Sequence, residues 1–99
     1  MNEVEHLLVI LSEEADEVGH RTAKALRFGL HEVQDGQEIA NVVRIAEEIS
    51  DLLGVVQMLF EKYGVDVRPI PSRIHAKRAR VEGYMKYAEK IGTLYGSGE

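Results

Sequence analysis

Apolar residues recur at intervals of three and four through three long stretches of this chain, the repeat of an α-helix that buries one face. The first stretch opens at Asn2, placed to cap a helix whose first turn holds Glu3 and Glu5, where the dipole favours acids. Val4, Leu7, Leu8, Leu11, Ala15 and Val18 make its buried stripe, with Glu14 and Glu17 expected on the flank. Gly19 offers a bend or a close approach, since glycine costs a helix about 1 kcal/mol relative to alanine. Beyond it HRTAKALRFGL keeps the pattern and places Arg21 and Lys24 in line with Glu14 and Glu17. Gly29, the polar VQDGQ and the Asp35-Gly36 turn signal end the segment.

The next helix is expected from about Gln37 to Tyr63, with Gly64 as its stop. Its apolar residues, from Ile39 through Val43, Ile49, Leu53 and Val56 to Phe60, cover more than one side. Such a helix is buried on several faces, so it is read as central and as contributing to a dimer. Asn41, Arg44, Glu48 and Asp51 share one of its faces. GVDVRPIPS reads as an extended linker, because each proline pushes the residue before it out of the α region. Ser72 is expected to cap a last helix over residues 73–91, packed through Ile74, Val81, Met85 and Ala88. Residues 93–99 read as a flexible tail.

All of this is an all-α pattern, and 99 residues suffice for one domain. At 44% hydrophobic and 29% charged the composition is globular. The net charge of −5 argues against a nucleic-acid polymer as partner. Without cysteine there is neither a disulfide framework nor a thiolate metal site. The longest apolar run, Leu7 to Leu11, is too short to span a membrane, and the N-terminus lacks the marks of a signal peptide. The expected location is therefore the cytoplasm, with no membrane partner.

The chemistry-bearing residues are the acids. LSEEADEV carries E-E-x-x-E, and AEEISDLLG carries E-x-x-D. Residues three apart on a helix are face neighbours, so Glu14/Glu17 and Glu48/Asp51 each project two carboxylates from one side. If the two helices pack together, four carboxylates converge. Oxygen donors without thiolates select hard cations, magnesium or manganese. Four acids exceed what one magnesium ion takes from a protein, which points to two or more ions. Each run alone is also what a solvated helix face looks like, and spacing does not separate the two readings. The basic last helix, with Lys77, Arg80 and Tyr84 on one face, is similarly open between a phosphate clamp and a solubilising surface.

Other chemistries find little support. His6, His20, His31 and His75 make no E-x-x-H pattern, which weighs against a di-iron site. No phosphate-binding glycine loop and no G-x-S-x-G is present.

The order EEADE, KALRFGL, EEISDLLGVVQML, AKRARVEGYMKYA, over residues 5–90, resembles the MazG-like all-α nucleoside triphosphate pyrophosphohydrolases, and most of all the short single-domain forms carried by bacteriophages. The resemblance implies a four-helix bundle completed by dimerisation, as a homodimer or homotetramer. It implies hydrolysis of a (d)NTP to (d)NMP and pyrophosphate, by metal-activated water attack on the α-phosphorus. By motif, the magnesium ligands fall on Glu14, Glu17, Glu48 and Asp51, and Glu13 and Glu14 are the catalytic acids, Glu13 orienting or deprotonating the water. Lys24, Arg27, Lys77, Arg80 and Tyr84 fall on phosphate-binding positions, and Asn41 with the residues around Leu30 to Gln37 on base recognition. Arg80 stands where lysine is expected, and Ala88 where serine is. One phage branch, called MazZ, makes dGMP from dGTP, and the host cytoplasm would then be the location. The competing class is a catalytically silent helical dimer that binds nucleotides or a protein partner.

Overall fold

The structure is a computed structural model and describes residues 1–95. It contains α1 (Glu3–Phe28), α2 (Asn41–Tyr63) and α3 (Pro71–Lys90), with no strand among the described residues. The chain is all-α, as its pattern implies. None of these helices is long and apolar enough to cross a membrane. The chain divides into two compact units, Met1–Arg68 and Pro69–Glu99.

In the first unit α1 starts where the sequence places it. The Asn2 side chain accepts from the Glu5 amide at 2.8 Å, while the Asn2 amide donates to the Glu5 carboxylate at 3.2 Å, a reciprocal capping box. Gly19 neither ends the helix nor admits a neighbour. α1 runs through it, and a Cβ built there would meet nothing within 4 Å. One glycine among good helix formers is too small a cost to break a helix held by packing at both ends.

The start of α2 lies at Asn41 rather than Gln37, and the reason is non-local. Ala40 has no side chain to cap with, so backbone carbonyls of the preceding loop take that role. The amides of Asn41 and Val42 donate to Glu32 O at 2.9 Å and Leu30 O at 2.8 Å. The buried Asn41 side chain returns the tie, donating through Nδ2 to Gly29 O (2.9 Å) and Glu32 Oε1 (3.0 Å). Arg44, also buried, donates through Nη1 to Gln34 Oε1 at 3.1 Å. Gly64 closes α2 in the left-handed conformation, φ 67°, as its position predicts.

The two helices form an antiparallel hairpin. On α1 the less exposed positions include Val4, Leu7, Leu11, Glu14, Val18, Arg21 and Ala25, in alternating steps of three and four, with Ile10 and Lys24 next to that line. On α2 they include Asn41, Arg44, Glu48, Leu52, Val55 and Leu59. Leu7, Val55 and the fully buried Leu59 make the core, with Val4, Ile10, Leu11 and Val65 against it. At the open end of the hairpin the Tyr63 hydroxyl donates to the Glu3 carboxylate. Beyond α2, Arg68 stacks 3.6 Å from the Phe60 ring centre and grips Asp66, whose carboxyl it holds down at about 2. One flank of α2 stays uncovered: Val42, Ile49 and Leu53 are 37%, 44% and 38% exposed.

In the second unit α3 begins at Pro71, with Ile70 rather than Ser72 as the cap residue. Proline suits the first helical position because its missing N–H would have no partner there. None of the residues of α3 is buried. Within the stretch expected as a tail, the amides of Thr93 and Leu94 donate to Ala88 O at 2.9 and 3.2 Å and close the helix. Residues 96–99 of that stretch lie outside the described residues.

Because so few apolar side chains are buried, the hairpin depends on each one. Leu59→Ala is expected to lower unfolding free energy by about 2–5 kcal/mol, read from the midpoint of urea denaturation.

Candidate metal centre

Midway along the hairpin the apolar seam gives way to acids. α1 brings Glu14 and α2 brings Glu48 and Asp51, and one carboxylate oxygen from each lies within 4.8 Å of the others. Glu14 and Glu48 are half-buried and Asp51 is exposed. The sequence pattern places Glu14 on the flank of the apolar stripe, but it occupies the seam itself, where α1 would otherwise present an apolar residue to α2. The i, i+3 spacing of Glu48 and Asp51 brings both to the Glu14 side.

This arrangement is electrostatically strained. Partial desolvation raises the Glu14 carboxyl above its ordinary 4.5, and repulsion from Asp51, Glu48, Glu17 and Glu13 raises it further. The one cation in ion-pair contact with the group, among the described residues, is Arg21. Its Nε lies 3.9 Å from Glu48 Oε1. That Nε is buried and has no hydrogen-bond partner. The sequence aligns Arg21 with Glu14, which it follows by seven residues, but gives it no role among the expected site residues.

The remaining expected residues are not part of the close group. Glu13 and Glu17 are exposed on α1 outside the close group, near enough for their charge to act on Glu14. Lys24 and Arg27 sit at the end of α1 over the Phe28 ring, 5.7 and 5.6 Å from its centre. Asn41 has both amide donor contacts on the loop, a holding role that its sequence position does not reveal. Lys77, Arg80 and Tyr84 belong to the second unit, where their spacing puts them on one face of α3. On α2 an open groove of about 460 Å³ is lined by Val43, Ala46, Glu47, Glu48, Ser50 and Asp51. Three carboxylates, those of Glu47, Glu48 and Asp51, line it beside the apolar Val43 and Ala46.

The donor set fits a hard cation: three carboxylates from two helices, close enough to share one ion, with no sulfur or imidazole among them. No protein-family model matches the chain, and no curated protein or solved structure matches it either.

The raised Glu14 carboxyl sets a pH dependence. Folding penalises the charged form, so the penalty is absent below about pH 4.5 and complete once pH has passed the raised folded value. In chelator, Glu14→Gln is expected to melt above the native chain at pH 7. The difference should vanish on acidification below about 4.5, as read by circular dichroism melts across pH.

Proposed function

We propose that the chain is a divalent-cation-dependent nucleoside triphosphate pyrophosphohydrolase of the MazG-like kind, converting (d)NTP and water to (d)NMP and pyrophosphate. The observation that carries this reading is the approach of Glu14, Glu48 and Asp51 to within 4.8 Å. Two acidic runs that each arise easily by chance meet as one oxygen donor set on packed helices. The order of motifs along the chain supplies the reaction class.

In this reading Glu14, Glu48 and Asp51 hold magnesium or manganese, and Glu17, one turn along α1, offers a carboxylate for a second ion. When bound, such ions polarise phosphoryl oxygens, favour hydroxide over water and offset the charge of the leaving pyrophosphate. Glu13 takes the proton of the attacking water or orients it. Lys24 and Arg27 neutralise phosphate oxygens, and by motif order Lys77, Arg80 and Tyr84 on α3 are further phosphate-binding positions. Asn41 acts on the base through the loop it holds rather than by direct contact. Conversion of dGTP to dGMP, the reaction of the phage branch, is the first specific case to examine, with the cytoplasm, of the host if phage-encoded, as the place of action.

The same reading makes the chain a homodimer or a dimer of dimers. Two hairpins joined through the flanks of α2 would give four helices around one core, and the exposure of Val42, Ile49 and Leu53 supports this. That flank also favours the second reading, a catalytically silent helical dimer that binds a nucleotide or a protein. Turnover separates the two.

Incubation with each common (d)NTP and magnesium is expected to yield monophosphate and pyrophosphate by ion-exchange chromatography. Diphosphate and orthophosphate, or no turnover, would exclude the enzyme. Glu48→Gln is expected to lose at least ~100-fold in rate with an unchanged helical spectrum. An undiminished rate would remove Glu48 from the site.

A further inference from the structure

Arg21 is held in an arrangement that an ordinary structural ion pair would not keep. Guanidinium and carboxylate groups normally close to about 2.7–2.9 Å and often bond through two parallel donors. Here the Nε of Arg21 stops 3.9 Å from Glu48 Oε1 and, although buried, bonds to nothing. An unbonded buried donor is a cost that native structures seldom carry without a function. The Arg21 side chain is only 21% exposed and that of Glu48 19%, so water screens the pair incompletely. The carboxylate Arg21 faces is also part of the close group with Glu14 and Asp51. A full negative charge per carboxylate gives that group a charge of −3, and Arg21 reduces it to −2, the charge that one divalent cation cancels.

We propose that Arg21 is the built-in counter-ion of the acidic centre: it stabilises Glu48 while no cation is held and yields that carboxylate when a divalent cation enters, its guanidinium then serving the phosphate group that arrives with the cation. This rests on the cation-binding reading above and adds a control to it. A fixed positive charge this close opposes a cation entering alone. The same charge favours a cation accompanied by a phosphate. The two ligands therefore bind with positive coupling through Arg21.

The test uses the full chain stripped with chelator and titrated with Mn2+, free Mn2+ being read by electron paramagnetic resonance, with and without inorganic phosphate. Arg21→Gln is expected to bind Mn2+ alone about tenfold more tightly than the native chain, with Arg21→Lys staying near native. Phosphate should tighten Mn2+ binding several-fold in the native chain and leave Arg21→Gln unmoved. Arg21→Leu, matched to the apolar seam, replaces Arg21→Gln if that variant does not fold. A neutral variant that binds Mn2+ no more tightly than a native chain which does bind it would overturn the counter-ion role alone. A native chain that binds no Mn2+ would overturn the cation reading and the counter-ion role with it.

Discussion

Glu14 and Glu48 in the seam of a two-helix hairpin, with the exposed Asp51 beside them, repel one another across the surface that holds the hairpin together. The structure bears this by dividing the seam. Leu7, Val55 and Leu59 supply apolar contact toward the open end, and the capped loop ties the closed end. The acids lie between, with Arg21 as their single ion-pair partner among the described residues. A more uniform apolar seam would be free of this repulsion. The first unit thus gives up cohesion in its middle and recovers it at both ends.

Much of this was legible in the sequence where the signal is local. The N-cap at Asn2, the three- and four-residue apolar steps and the stop at Gly64 each act within a turn or two, and each lies where the pattern puts it. Glu48 and Asp51 were readable as a pair for the same reason. The start of α2 was not, because its caps are the carbonyls of Leu30 and Glu32, and nothing in the residues around Ala40 announces them. Gly19 misled because glycine marks a bend only where packing or hydrogen bonds exploit it, and here neither does.

The placement of polar residues in the seam was legible only in part. Amphipathic reasoning sorts polar residues outward, so it sends Glu14 to the flank, and it reads Arg21 and Arg44 as face neighbours of the acids, not as groups turned into the seam. Which polar residues are instead turned inward depends on what the facing helix offers at that level. Arg21 meets Glu48 and Asn41 meets the loop carbonyl of Gly29, pairings that exist only once the hairpin has closed.

The capped connection between α1 and α2 has a consequence for how this chain can vary. Loops ordinarily absorb insertions and deletions with little effect. This one fixes register, because Leu30, Glu32 and Gln34 are each bonded to a particular residue in the first turn of α2. Advancing α2 by one residue turns it by about 100° and carries Glu48 and Asp51 away from Glu14. A lineage of such chains should therefore keep the length of this connection even where its side chains drift, since the spacing itself is part of the acidic centre.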